Sequence, residues 1–308
     1  MVPVLERPFD EMRARHLLRR ACRAAGLPDP DGAALLALGE NAVFDLGDPA
    51  VVAKVGRVPS AGAPGCRAAR ELAVARWLDG RGIPVVRPHL PEALDADGHP
   101  VSFWRRLPPA VRPARAADLA PLLRALHELP DAPDRPAPAF PLPRRELLAP
   151  VDRWLAAADG RVDPADAAFL RERKESFVTA LAGLTPVLPP GPVHGDALPR
   201  NVHVGPDGPV LLDLETVSAD LREHDLVVLT LAQDRYGLPA EEYAAFTEAY
   251  GWDVREWPGC AVLRGARETA SAAWVAQQTP ENPAAAAEFG RRVTSLRNAD
   301  ARVRWSEF

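Results

Sequence analysis

Two β-rich runs with a polar loop between them constrain this chain more than any other feature. The loop lies in Val193-His194-Gly195-Asp196-Ala197-Leu198-Pro199-Arg200-Asn201, and the second run, Val210-Leu211-Leu212, ends in Asp213-Leu214-Glu215. Asp196 and Asn201 stand five residues apart, and Asp213 follows where the next strand ends. A fold that carries this pattern has to tie a tight loop between strands and bring carboxylate and amide oxygens to their ends. Phosphoryl transfer needs such a set: one carboxylate to orient or deprotonate an attacking hydroxyl, and further oxygen ligands for the Mg²⁺ that neutralises nucleotide phosphates. Turn preference explains any one of these residues, since Asp, Asn, Gly and Pro all favour turns. It does not explain their spacing as a set.

A second cluster lies upstream. Ala50-Val51-Val52-Ala53-Lys54-Val55 is a short β-branched run with one lysine, a strand that points a single ammonium to one side. Arginine is the default cation of this chain, so a retained lysine implies a need for a compact point charge. Glu71, on the helical stretch Arg67–Leu78, is placed to pair with Lys54 and aim it at phosphates; surface solvation is the ordinary alternative for a helix glutamate. Ahead of the lysine strand, Leu36–Phe44 reads as strand, turn, strand, with Gly39, Glu40 and Asn41 at the turn as candidate nucleotide contacts. This turn has one glycine and is neither Gly-x-Gly-x-x-Gly nor a Walker A loop.

The segment His194–Asp225 resembles the aminoglycoside phosphotransferase family of small-molecule kinases, relatives of the eukaryotic-type protein kinases. In that family HGD-x-x-x-x-N is followed by an Asp-x-Glu or Asp-x-Asp strand end and then by a helix beginning near a further Asp-Leu. The counterparts here are Asp213-Leu214-Glu215 and Arg222-Glu223-His224-Asp225-Leu226. The resemblance implies Asp196 as the catalytic carboxylate and Asn201 and Asp213 as metal ligands, with Glu215 as a further candidate. It implies Asp225 as a structural anchor and His194 and Arg200 as supports of the loop. It also implies that the exit of the strand Pro100–Leu107 is a hinge where backbone groups of Phe103, Trp104 and Arg105 read adenine. The implied fold is α+β and bilobal, protein-kinase-like: a small N-terminal β-sheet lobe over residues 1–107, with the hinge at about 102–107, and a larger, mainly helical lobe over 108–308. ATP or GTP is the implied co-substrate, with Mg²⁺.

The remaining sequence agrees with this organisation. Helices are expected at about Phe9–Ala25, Asp118–Leu129, from an Asp163-Pro164 start, and at Glu223–Gln233, Ala240–Tyr250, Cys260–Gln278 and Ala284–Arg302. The Pro- and Ala-rich stretch Asp131–Ala139 is expected as a loop. The C-terminal helices would wall an acceptor pocket, and Asp234, Glu241, Glu242, Glu248, Asp253 and Glu256 would suit a cationic acceptor such as an aminoglycoside or basic peptide antibiotic. Trp252, Trp257 and Trp274 are expected in the core. Sugars, choline and amino alcohols are the other acceptors that the resemblance admits.

With 308 residues, 47% of them hydrophobic, the chain can bury a substantial core, and its net charge of -5 argues against a nucleic-acid partner. No window has the apolar length of a membrane span, and the first residues lack the order of a signal peptide. Cys22, Cys66 and Cys260 are isolated and odd in number, which fits neither a disulfide framework nor a zinc site and implies the reducing cytoplasm. A metal-dependent hydrolase built from His194, Asp196, His203, Asp213 and His224 is an alternative that leaves Lys54 and Glu71 without a purpose. A kinase fold kept only for binding is a third.

Overall fold

A computed structural model describes residues 9–39, 41–57, 66–129, 141–280 and 282–307. Glu40 and the stretch Asp131–Ala139 lie outside the described residues. In chain order the elements are α1 (Glu11–Ala25), β1 (Ala34–Leu38), β2 (Asn41–Asp45), β3 (Val51–Gly56), α2 (Cys66–Asp79), β4 (Leu94–Ala96), β5 (His99–Arg105), α3 (Ala116–His127), α4 (Val151–Ala157) and α5 (Pro164–Ala182). There follow β6 (Gly191–Val193), β7 (Val202–Gly205), β8 (Gly208–Leu211), β9 (Ser218–Asp220), α6 (Glu223–Tyr236), α7 (Ala240–Tyr250), α8 (Cys260–Ala276) and α9 (Pro283–Arg297). Two compact units result. One comprises residues 1–113, 136–141 and 202–217; the other comprises 114–135, 142–201 and 218–308.

The first unit is an antiparallel sheet in the order β1-β2-β3-β5-β4 with α1 packed on it. Helix α1 starts where Asp10 accepts from the Arg13 amide (2.8 Å) and ends at left-handed Gly26. Its apolar stripe Ala14, Leu17, Leu18, Ala21 and Cys22 covers Phe44, Ala53, Val101 and Phe103. Alternation along β3 buries Val51, Ala53 and Val55 on that side. Lys54 therefore emerges on the other face, opposite Ser102. The β7–β8 hairpin belongs to this unit although the sequence reading put it in the second lobe. Val86 donates to the Leu211 carbonyl (3.0 Å) and Leu211 to that of Pro84 (2.9 Å), so pairing ties residues 202–217 to the segment after α2.

The second unit is mainly helical. The leucines of α3 form the expected buried stripe of Leu119, Leu122, Leu123 and Leu126, and α5 opens on Asp163, which accepts from the Ala165 amide (2.7 Å) ahead of its first-turn proline. Helices α4, α5, α8 and α9 share one core through Leu155, Leu170, Ala273, Phe289 and Val293. Helix α9 ends at Arg297, earlier than the Arg302 read from sequence, because Asn298 caps it and Ala299 turns with a positive φ of 51°. The chain then returns to bury Trp305, whose indole donates to Ser295 (3.1 Å). Strands β6 and β9 pair, and Arg144 extends that pairing by a parallel bridge to Ala219.

Candidate active site

In the first unit the sheet and α2 bring Lys54 and Glu71 together: the ammonium donates to both carboxylate oxygens of Glu71 at 3.1 Å. Beyond β8, Asp213 and Glu215 reach the same ammonium, Asp213 at 3.7 Å and Glu215 closer still. Asn41, at the start of β2, donates its amide to Glu215 (3.1 Å). Asp213 adopts the left-handed region at φ 51°, uncommon for a residue with a Cβ and a mark of backbone held by its surroundings. It is half exposed, while Glu71 is buried.

The charges here balance tightly. Burial works to lower the Lys54 pKa, and attraction to Glu71, Glu215 and Asp213 outweighs it and holds the ammonium above its ordinary value. Burial pushes the Glu71 carboxyl up to about 7, against the pull of Lys54 and with the repulsion of Glu215 and Asp213. For Glu215 burial also acts upward, but Lys54 wins and the carboxyl lies below its ordinary range. Oxygens of Glu71, Asp213 and Glu215 lie within 4.8 Å of one another, a set of hard donors that fits a hard divalent cation.

The hairpin turn before β2 places Gly39 with its amide donating to the Asn41 carbonyl (3.0 Å) and its own carbonyl accepting from Arg57 (3.1 Å). Phe103, Trp104 and Arg105, expected as a hinge, are instead strand residues whose polar groups are largely taken. The Phe103 carbonyl accepts from His89 (2.8 Å), the Arg105 amide donates to Arg87 (2.8 Å), and the Trp104 indole donates to Ser102 (2.9 Å). Phe103 belongs to the α1 core; Trp104, paired with Val52, lies on the Lys54 side of the sheet. The first residue past the strand with neither backbone group bonded among the described residues is Leu107.

In the second unit Asp225, on the first turn of α6, holds the loop. Its fully buried carboxylate accepts from the amides of His194 and Gly195, both at 2.7 Å, and contacts His127 Nε2 at 3.1 Å. His127, at the end of α3, is itself bonded to the Tyr250 hydroxyl (2.8 Å). Gly195 takes φ 86°, a turn that glycine makes without strain. Asp196 then presents a carboxylate with every oxygen supported. Oδ2 accepts from Arg200 (2.9 Å) and Asn201 (3.1 Å), and Oδ1 accepts from Arg267 (3.1 Å). Both amide hydrogens of Asn201 go to Asp196, the second to its carbonyl (2.8 Å), so the Asn201 Oδ1 is left as an acceptor.

Arg267 is the residue the sequence reading missed. From α8 it also donates to the Gly195 carbonyl (3.2 Å) and to His224 Nε2 (3.0 Å). Burial, then Arg145 and Arg267, drive the His224 pKa well below its ordinary value, so the ring is neutral and can accept that bond. Burial of Asp196 acts to raise its pKa, but Arg267 and then Arg200 outweigh it and keep the carboxyl below its ordinary value. A carboxylate so held is ionised, oriented and ready to accept a proton or a hydrogen bond.

The histidines of the hydrolase alternative are not arranged as ligands. His203 bonds the Pro108 carbonyl (2.8 Å), His224 serves Arg267, and among the described residues no metal-ligating group contains a histidine. The acidic run of the C-terminal helices is partly spent internally. Asp234 pairs with Arg255 (2.9 Å) and Arg264 (2.7 Å), Glu242 accepts from the Ala116 amide (2.9 Å), and Asp253 accepts from the Tyr243 hydroxyl (2.6 Å). Trp257 is buried and donates to the Thr185 carbonyl (2.9 Å), as a core residue does.

The sequence profile of the phosphotransferase enzyme family (APH) matches residues 33–263. Solved structures with the same fold include an amicoumacin kinase, hAmiN, in complex with AMP-PNP, Ca²⁺ and Ami (15% identity, TM-score 0.70, covering 97% of this chain and 98% of that one). A choline/ethanolamine kinase family protein from Mesorhizobium loti is similar at 20% identity and TM-score 0.65, over 94% and 96% of the two chains. An aminoglycoside-3'-phosphotransferase of type VIII is similar at 24% identity and TM-score 0.55, over 82% and 99%. The comparison with curated protein sequences finds no match. Fold, spacing and profile agree: the chain belongs to the phosphotransferase enzyme family, enzymes that pass a phosphoryl group to the hydroxyl of a small molecule.

Proposed function

We propose that this protein transfers the γ-phosphate of ATP or GTP, with Mg²⁺, to a hydroxyl of an antibiotic or related natural product. The observation that carries the donor side of this reading is Lys54, held by Glu71 beside Asp213 and Glu215. In this reading the ammonium takes the nucleotide phosphates and Glu71 keeps it aimed at them. Asp213 and Glu215 are the metal ligands that the first unit offers, and Asn201, whose Oδ1 has no donor among the described residues, is the one that the second offers; the metal when bound would neutralise phosphate charge. Asp196 orients the acceptor hydroxyl and takes its proton; Arg200, Asn201 and Arg267 hold the carboxylate in place, and Asp225 with His194 braces the loop. Gly39 and Asn41 flank the phosphates, and adenine meets backbone groups at the exit of β5, where Leu107 has neither backbone group bonded among the described residues.

A metabolic role on choline, a sugar or an amino alcohol is the second reading, supported by likeness to a choline/ethanolamine kinase family protein. A cationic acceptor loses support because Asp234, Glu242 and Asp253 are already engaged. The compartment that fits is the cytoplasm: no described helix is long and apolar enough to cross a membrane, and Cys22 and Cys260 are free and buried. A screen for ADP release from Mg-ATP and GDP release from Mg-GTP over antibiotics, amino alcohols, hydroxy acids and sugars tests the reading. Turnover of a hydroxyl acceptor that EDTA abolishes is the expected result. Failure to bind either nucleotide in the presence of Mg²⁺ would overturn it.

A further inference from the structure

Two consecutive residues in the first turn of α6 hold the Asp196 loop by different means. Asp225 takes its backbone, through the amides of His194 and Gly195. His224 takes an arginine instead: Arg267 Nη1 donates to its Nε2 (3.0 Å) and to the Gly195 carbonyl (3.2 Å), while Nη2 of the same guanidinium donates to Asp196 Oδ1 (3.1 Å). A guanidinium only donates, so His224 Nε2 is bare and the ring proton sits on Nδ1. Nδ1 lies 3.5 Å from Asp220 Oδ2, and the other oxygen of Asp220 accepts from the Leu221 amide (2.7 Å). Asp220 in turn closes β9 and pairs with Gly191 at the start of β6, the strand that runs into His194. His224 is only 2% exposed, which leaves water little access to the bond with Arg267.

The neutrality of this partner sets what Arg267 can do. Among the described residues Asp196 is the one carboxylate in ion-pair contact with Arg267. A second carboxylate at position 224 would draw on the same charge. An imidazole accepts the same directional bond with no charge of its own, and burial together with Arg145 and Arg267 keeps the ring neutral. The guanidinium is thus oriented through Nη1 and stays electrostatically committed to Asp196 through Nη2.

We infer that His224 is a positioning residue for phosphoryl transfer: its bare Nε2 aims the Arg267 guanidinium at Asp196 Oδ1, and Asp220 favours the Nδ1–H form of the ring that makes this possible. This rests on the reading of Asp196 as the group that meets the acceptor hydroxyl. His224 acts through Arg267 and touches no reacting atom. Asp196 Oδ2 is held by Arg200 and Asn201 from its own loop, so Arg267 is the support that tertiary packing adds to the other oxygen. With that support swung away the carboxylate can turn, and a misplacement of about 1 Å at a reacting group costs on the order of a hundredfold in rate.

Two variants of the full chain separate aiming from packing, with cooperative thermal unfolding as the check that each folds. His224→Gln keeps a neutral acceptor for Arg267 and a donor for Asp220, and His224→Leu has neither. With Mg-ATP and the best acceptor of the screen, kcat is expected to fall about tenfold or more in His224→Leu. In His224→Gln it stays within about threefold of wild type, and the KM for Mg-ATP is unchanged in both. A second readout needs neither an acceptor nor a folded leucine variant. In protein carrying ¹⁵N-labelled histidine, the His224 signals are those missing from His224→Gln. They are expected to show a protonated Nδ1 and a bare Nε2 at neutral pH, with the Nε2 resonance moving in Arg267→Met. A protonated Nε2, an imidazolium, a folded His224→Leu with undiminished kcat, or a loss in His224→Gln as large as in His224→Leu would each overturn the inference. Mg-nucleotide binding is measured alongside. A protein with the bare Nε2 that binds no Mg-nucleotide loses the kinase reading while the aiming of Arg267 stands; one that turns over with a protonated Nε2 keeps the kinase reading and loses the inference.

Discussion

Arg267→Met removes the guanidinium from behind Asp196 while keeping an unbranched side chain in α8. Three acceptors lose their donor: Asp196 Oδ1, the Gly195 carbonyl and His224 Nε2. Severing a fully buried ion pair costs about 3–5 kcal/mol. The Asp196 side chain is 26% exposed, however, and water can take the vacated position on its carboxylate. The loss of charged hydrogen bonds then sets the scale, about 1.5–3 kcal/mol at pH 7. The sign with pH follows from linkage. Asp196 has a folded pKa below its ordinary 3.8, so it contributes stability above that value which is lost as pH falls through the folded one. Without Arg267 the depression shrinks, and the difference between variant and wild type narrows as pH drops from 7 towards 3. Urea unfolding across that range reads the effect as a shift in midpoint at constant slope. A destabilisation under about 0.5 kcal/mol at pH 7, within the range of an ordinary surface substitution, would refute the role assigned to Arg267. So would one that does not change with pH.

Other positions give sharper single tests. Asp225→Ala leaves the His194 and Gly195 amides and His127 without their shared acceptor in a fully buried site and should cost about 3–5 kcal/mol in urea unfolding. Gly265→Ala drives a methyl to 2.2 Å from the Phe177 ring, so α5 and α8 must shift and the thermal midpoint should fall by the equivalent of about 1–3 kcal/mol. Glu71, raised from 4.5 to about 7 in the fold, binds its proton more tightly folded than unfolded, so it removes stability as pH rises from 4.5 through 7. The span is on the order of 3 kcal/mol; Glu71→Gln should flatten that slope in unfolding measured at pH 5 and pH 8, and an unchanged slope would count against the burial of this carboxyl.

The site was legible in the sequence where chemistry is written at fixed spacing. Asp196, Asn201 and Asp225 fall on one loop and the helix that caps it, and the sequence reading could name them because a loop of that length leaves few other ways to place a carboxylate and an amide. Lys54 and Glu71 were legible for a similar reason: a strand has two faces, and a lone ammonium on a β-branched run marks the polar one. Arg267 was not, because nothing local distinguishes it from the many arginines of an Arg-rich chain. Its position beside Asp196 is set by the packing of α8. The adenine-reading backbone is not legible in sequence, because such recognition depends on which amides the sheet leaves unpaired, and the 87–90 segment that pairs with Phe103 and Arg105 has no strand signature of its own. The end of α9 was overrun because the apolar pattern continues to Trp305 while the backbone turns at Ala299.

The most direct test of the central claim is the turnover of Asp196→Asn with the best acceptor of the ADP-release screen. The substitution keeps the size of the side chain and removes the charge that Arg267 and Arg200 support. A fall in kcat of about 10²–10⁴, with Mg-ATP binding and cooperative unfolding retained, is the predicted result. Turnover within about threefold of wild type, far short of the loss of a positioned base, would contradict the account.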